Sequence, residues 1–510
     1  MLIDINVGFG GRESFQRFEP ETALAQLKRI PLSLAFVHCH QGMTDQFSAN
    51  DQTFALCRDH THLRPTAVIH PRDTFAWRAE IDRCLAAGVR LFRLYPEQGD
   101  WPVRSVLFRQ IVERLRGTGA ALLIDATTPG LPSAVAEETA EAGLPVIFTE
   151  ARYYPLSELL PLLERYPHLY LETSRLTSPE GIELCVATVG PDRLLFGSGT
   201  ARYPAWVAWQ TLERAEITSE EREAIAWRNA ARLLDVTPTP AAIEEFSSSL
   251  VDANPLPVID VHLHDKLPGT PIKKYPADAY AADMERSGIA LGVCSSVTAI
   301  FYDLKQGNDE QAELVRAVPR LRGYVVVDPR YYDDSLRELR RLEEDDRFVG
   351  VKIHAAHAHT PTRAATMRRL FTAVANYGKP VLIHNLGADW PEALVELALE
   401  NSGLPIIAAH AGYGDAPHPT HDAAERLAPA ANIWLEYCST YLTVGAIRRG
   451  INAVGVGRLL YGSDFPLIAQ PYMRAAYDDA ELSPDEATRI LVSNARTLFP
   501  TLSNHAPPIR

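Results

Sequence analysis

The sequence predicts an α/β protein built from two (β/α)8 barrels in tandem, and three observations carry that reading. Short runs rich in Val, Ile and Leu alternate with stretches of helical period, the pattern of parallel strands joined by crossover helices. The whole pattern is written twice at a nearly constant offset. In the second copy five ligand-type residues, His262, His264, His384, His410 and Asp464, each stand at or just past the end of an apolar run. In a barrel of parallel strands that end is the catalytic mouth.

The repeat shows in landmark pairs along the chain. Asp4 matches Asp260, Asn50 matches Asn308, Arg93 matches Lys352, Asp125 matches His384 and Glu150 matches His410, the offset drifting only from 256 to 260. Near the end of each copy the match is close to literal. Arg193-Leu194-Leu195-Phe196-Gly197-Ser198-Gly199 answers Arg458-Leu459-Leu460-Tyr461-Gly462-Ser463-Asp464, and Asn229 opens the same closing motif as Asn494. The stretches Ser335 to Glu344 and Thr362 to Tyr377 have helical period. A Pro- and Ser-rich passage around Thr237-Pro238, Phe246-Ser247 and Asn254-Pro255 reads as a linker. The expected organisation is therefore a first barrel over 1–236, a linker over 237–254 and a second barrel over 255–502.

Composition bounds the partners. At 510 residues the chain has room for two barrels of about 250 residues each. Hydrophobic residues make up 46% and charged residues 22%, which supports buried cores and argues against disorder. A formal charge of −14 disfavours nucleic acid and anionic membrane as partners. Cysteines 39, 57, 84, 185, 294 and 438 lie mostly in apolar runs without Cys-x-x-Cys spacing, and read as reduced core thiols. Met1 leads straight into a short apolar strand, and no window reaches the length of a membrane span, so a cytoplasmic protein is expected.

His262 and His264 lie two apart on a strand, so they face the same way and could grip one ion together. Four such His-x-His pairs occur (38/40, 60/62, 262/264 and 357/359), but only the third opens a repeat unit and has further ligands downstream. The first copy is its own control. Opposite His262 and His264 stand Asn6 and Gly8, opposite His384 stands Asp125, opposite His410 Glu150 and opposite Asp464 Gly199. A glycine has no side chain to coordinate with, so the first barrel is expected to be a pseudo-enzyme without metal. His38 and His40 align with Cys294 and Ser296 on the second strand and read as local structure.

The second copy resembles the amidohydrolase superfamily, in the branch holding aminocarboxymuconate-semialdehyde decarboxylase and the resorcylate decarboxylases. The resemblance lies in Val261-His262-Leu263-His264, Val351-Lys352-Ile353-His354, Leu382-Ile383-His384-Asn385, Ala409-His410-Ala411-Gly412 and Gly462-Ser463-Asp464-Phe465-Pro466. It implies that His262, His264, His384 and Asp464 hold one divalent ion with His410 as acid or base beside it, Asp464 also counting as catalytic. Three imidazoles and a carboxylate suit zinc, with manganese as the other candidate, and such an ion activates water at neutral pH.

Lys352 and His354 face the same way on one strand. A carboxylated Lys352 bridging two metals, a contact to a substrate anion and a plain structural role all stay open. Lys352, His354 and His357 are the candidate substrate-binding residues. His359, Tyr413, His418 and His421 fall on loops of the same mouth, where a solvated side chain is the plain alternative. Glu436 follows an apolar run and is matched by Glu172 in the ligand-free copy, which argues for a structural acid.

The function expected is a metal-dependent hydrolase using activated water on an amide, lactone or ester carbonyl of a small anionic substrate. The alternative is a non-oxidative decarboxylase or hydratase of a carboxylated aromatic or ring-opened acid, and a non-catalytic scaffold is a third reading. Beyond the substrate, the partner expected is the other barrel of the same chain, with an oligomer also open.

Overall fold

The computed structural model describes residues 1–12, 16–73, 76–239, 256–267, 276–412 and 423–504. The chain divides into two compact units, Met1–Leu250 and Val251–Arg510. Most of the expected linker, 240–254, lies outside the described residues.

In the first unit β1 (Ile3–Arg12), β2 (Gln16–Phe18), β3 (Leu34–Cys39), β4 (Leu63–Val68), β5 (Leu91–Leu94), β6 (Ala121–Asp125), β7 (Val146–Thr149), β8 (Leu169–Glu172) and β9 (Leu194–Leu195) form one sheet. All neighbours are parallel except β2, which hangs antiparallel on β1. The second unit has β10 (Val258–His264), β11 (Ile289–Ser295), β12 (Leu321–Val327), β13 (Phe348–His354), β14 (Val381–His384), β15 (Ile406–Ala408), β16 (Ile433–Glu436) and β17 (Leu459–Leu460), parallel in that order. Bridges from Val7 to Thr200 and from Leu263 to Phe465 bring the last strand of each sheet back to its first. Both units are thus (β/α)8 barrels with helices between the strands. Among the described residues no helix is long and apolar enough to cross a membrane.

The repeated landmarks close each barrel. Asp4 Oδ1 accepts the backbone N–H groups of Asn6 and Ser198, both at 3.0 Å, and Asp260 Oδ1 accepts those of His262 and Ser463, both at 3.1 Å. Each aspartate therefore ties the first strand to the last. Asn50 and Asn308 each clamp the third parallel strand of their barrel with both amide atoms, on Val68 and Val326. Asn229 donates to the carbonyls of Pro191 and Leu194, and Asn494 to those of Val456 and Leu459, at 2.7–2.9 Å. Buried amides satisfying backbone groups in pairs explain why these polar residues recur inside apolar surroundings. Capping boxes, Thr218 with Glu221 and Ser483 with Glu486, start the corresponding helices near each end.

Two helices differ in their limits from the sequence reading. One runs Tyr332–Arg341, starting three residues early, and the other starts at Ala365 because Thr362 is drawn to Asn385 and to the backbone of Leu386.

Asp4 yields a pH prediction. Burial pushes its carboxyl up from an ordinary 3.8 to about 6, against hydrogen bonds from Ser198 and Asn6 that pull it down. A raised acid contributes stability fully below its unfolded value and loses it as pH rises through the folded value. Asp4→Asn keeps the acceptor oxygen and cannot ionise. Wild type should therefore lose on the order of 3 kcal/mol relative to the variant between about pH 4 and pH 7. Urea midpoints of both proteins across that range check this; parallel curves would show that Asp4 does not ionise on that scale.

Candidate metal centre

The strand ends of the second barrel converge. His262 and His264 lie on β10, Lys352 and His354 on β13, His384 at the end of β14, His410 just past β15, Glu436 at the end of β16 and Asp464 past β17. His264 Nε2 is 3.2 Å and His262 Nε2 3.6 Å from Asp464 Oδ1. One atom from each of these three residues lies within 4.8 Å of the others. A second such group is His262, His410, Glu436 and Cys438, all buried. Among the described residues both groups of this kind lie in the second barrel.

Each histidine is aimed by a partner on its far nitrogen. His262 Nδ1 lies 3.0 Å from Glu436 Oε2, and His264 Nδ1 lies 3.1 Å from Ser295 Oγ. A neutral imidazole that donates from Nδ1 presents the lone pair of Nε2, the arrangement of His262; His264 Nε2 also faces Asp464 and hydrogen-bonds to it. Burial, and then the Lys352 charge, hold His262 well below the usual imidazole range, so it is neutral as a ligand must be. Burial would raise the Asp464 carboxyl, but the His264 hydrogen bond and the surrounding imidazoles hold it far below the usual carboxylate range. The site therefore offers one anionic oxygen and two imidazole nitrogens close together, a donor set that fits a divalent ion such as zinc or manganese.

His384 is placed differently. Its Nδ1 is 3.0 Å from His410 Nε2, its ring stacks on His354 with centroids 4.1 Å apart, and it belongs to neither close group. His410 in turn has Nδ1 2.6 Å from the carbonyl of Cys438, so both of its nitrogens meet protein atoms. That carbonyl accepts a hydrogen bond from Nδ1–H, which leaves Nε2 as the acceptor for His384.

Lys352 is fully buried, with Nζ 3.0 Å from His262 Nε2, and burial pushes its ammonium down to about 8. His354 is held well below the usual imidazole range by burial and by His384. His357 packs at the rim between His354 and Phe301, with ring centroids at 4.3 and 3.8 Å, while His359 is exposed. Tyr413, His418 and His421 lie outside the described residues.

The backbone is strained where the side chains matter. His410 and Asp464 adopt left-handed conformations, φ 58° and 60°, which place their side chains inward from sharp turns after the strands. The first barrel keeps those turns, with Glu150 at φ 58° and Gly199 at φ 66°. Its mouth is filled otherwise. A Cβ at Gly8 would collide with the His40 ring, and one at Gly199 would lie 2.9 Å from the Tyr203 ring. Arg93 forms a buried ion pair with Asp125, so the positions of Lys352 and His384 are taken by charges that satisfy each other.

Sequence reasoning missed two residues. Cys438, read as a core thiol, has Sγ 3.3 Å from His262 Nδ1 and 3.4 Å from His410 Nδ1. Glu436, read as a structural acid, also contacts His262. The available signal was its place at the end of a mouth-facing strand.

A family model described as amidohydrolase matches residues 16–236 and 259–501. A search of curated proteins finds no match. Among solved structures, 5-carboxyvanillate decarboxylase from Sphingomonas paucimobilis is similar at 15% identity and TM-score 0.38, over 48% of this chain and 99% of that one. A 2,6-dihydroxybenzoate decarboxylase from Rhizobium is similar at 17% identity and TM-score 0.38, over 48% and 98%. A dihydroxybenzoic acid decarboxylase from a Polaromonas species, with bound manganese and the inhibitor 2-nitroresorcinol, is similar at 17% identity and TM-score 0.38, over 48% and 97%.

Proposed function

Because the chain belongs to the amidohydrolase family, we propose that the mouth of its second barrel is the active site of a metal-dependent enzyme acting on a small, negatively charged substrate. The observation that carries this is the convergence of His262, His264 and Asp464 within 4.8 Å, with both imidazoles oriented by partners on their far nitrogens. These three would hold one ion, zinc or manganese, with His384 as the fourth ligand. A divalent ion there supplies Lewis acidity and a water activated at neutral pH. Lys352, His354 and His357 receive the substrate anion, Lys352 as a buried cation whose attraction is little screened. His410 holds and returns the proton at Nε2, its Nδ1 fixed on the Cys438 carbonyl. The first barrel, filled by His40, Tyr203 and the Arg93–Asp125 pair, is the inert copy.

One reading of the step is hydrolysis of an amide, lactone or ester carbonyl. A second reading, non-oxidative decarboxylation or hydration of a carboxylated acid, is favoured by Lys352. An ammonium fully buried beside His262 suits a carboxylate carried to the reacting end of the substrate. Metal-loaded full-length protein should be offered small amides, lactones and esters alongside carboxylated aromatic and ring-opened acids, with carbon dioxide release and hydrolysis followed together. Carbon dioxide release selects the lyase, and acid release from a neutral bond selects the hydrolase. No turnover in either class would count against the assignment.

A further inference from the structure

We propose that Glu436 is a positioning residue for this metal site, fixing the tautomer and ring direction of His262 and so governing metal affinity. The proposal rests on the metal reading above and deepens it, giving the Glu436 contact a measurable consequence for metal affinity. Glu436 is fully buried at the end of β16. Its Oε2 lies 3.0 Å from His262 Nδ1 and accepts the backbone N–H of His410 at 3.3 Å, while Oε1 accepts the N–H of Cys438 at 2.8 Å. One carboxylate thus holds a candidate ligand by its ring and the proposed proton carrier by its left-handed backbone.

The chemistry of the acceptor matters. With Nδ1 donating to the acid, His262 keeps its lone pair on Nε2, which faces Asp464 at 3.6 Å and Lys352 at 3.0 Å. Both backbone neighbours are donors and so is Nδ1–H, a demand that two carboxylate oxygens meet and an amide cannot. A glutamine would turn its NH2 group on either His262 or Cys438. The acid also has a built seat, since a Cβ at Gly462 would lie 2.6 Å from Glu436 Cγ.

The first barrel supplies the control. Glu172 is equally buried, with Gly197 making the same room, and accepts from Ser174 N and Ser174 Oγ, both at 2.8 Å. Its link to the first strand goes to Asn6 Nδ2 at 3.5 Å, the residue standing where the second barrel has His262. Tying down the backbone two residues on, at Cys438 and at Ser174, is common to both copies. Orienting a ligand belongs to the second alone.

The test compares Glu436→Gln with Glu172→Gln in the full-length protein. Metal-free proteins are titrated with Mn2+ and Zn2+ against a competing chelator, and their urea midpoints are measured without metal. Glu436→Gln should weaken binding ten- to a hundredfold, the usual cost of losing a partner that orients a ligand, and Glu172→Gln by less than about twofold. Equal affinities for wild type and Glu436→Gln, or equal losses in the two variants, would overturn the proposal. A wild type that binds neither ion overturns the metal reading and takes the proposal with it. Should Glu436→Gln not fold, 15N imidazole spectra of metal-free wild type decide: His262 protonated on Nδ1 is expected, and protonation on Nε2 contradicts it.

Discussion

Asp464→Asn is expected to abolish turnover and to empty the metal site. Asp464 is the only anionic member of the trio, its oxygen 3.2 Å from His264 Nε2 and 3.6 Å from His262 Nε2. It is kept ionised by those imidazoles although it is buried. An asparagine tolerates the left-handed backbone that Asp464 adopts at φ 60°, so the substitution removes charge with little change of shape. The substitution leaves the neutral imidazoles of His262, His264 and His384 with no anionic partner, which weakens the hold on a divalent ion, and Lewis-acid assistance is worth several kcal/mol of barrier, a loss of ~10³-fold or more in rate. His262→Ala should act the same way. Normal turnover in either variant would remove the trio from the mechanism.

His410→Asn is expected to keep most of the metal and lose about a hundredfold or more in turnover on whichever substrate the screen returns, the usual scale of acid–base catalysis. His410 lies outside the close trio with Asp464, though it shares the other close group with His262, Glu436 and Cys438; its nitrogens go to Cys438 O at 2.6 Å and His384 Nδ1 at 3.0 Å. An asparagine accepts the φ of 58° and can keep one of those hydrogen bonds, so the change addresses proton transfer. Loss of metal in step with loss of activity would make His410 a ligand and overturn its role as proton carrier.

The barrels were legible in the sequence because each landmark is a backbone device. Asp4 and Asp260, Asn50 and Asn308, Asn229 and Asn494 all satisfy main-chain groups at fixed points of the fold, so they recur at fixed spacing whether or not the copy keeps its ligands. The order of the candidate ligands was legible for a related reason: strand ends define the mouth, and a residue's place on a strand sets its direction. What could not be read was which side chains meet across the barrel. The 3.0 Å contact between His384 and His410 depends on rotamers of residues 26 positions apart, and the approach of Cys438 to His262 on those of residues 176 positions apart. The same limit hid part of the filling of the first mouth, where His40 occupies space left by Gly8 of another strand.

One measurement tests the central claim most directly: the divalent metal content per chain of dialysed full-length protein, beside that of Asp464→Asn. One barrel carries the trio, and in the other the matching positions hold Asn6, Gly8 and Gly199. About one ion per wild-type chain, falling towards zero in the variant, is the expected result. Two ions per chain, none, or one that survives Asp464→Asn would contradict it.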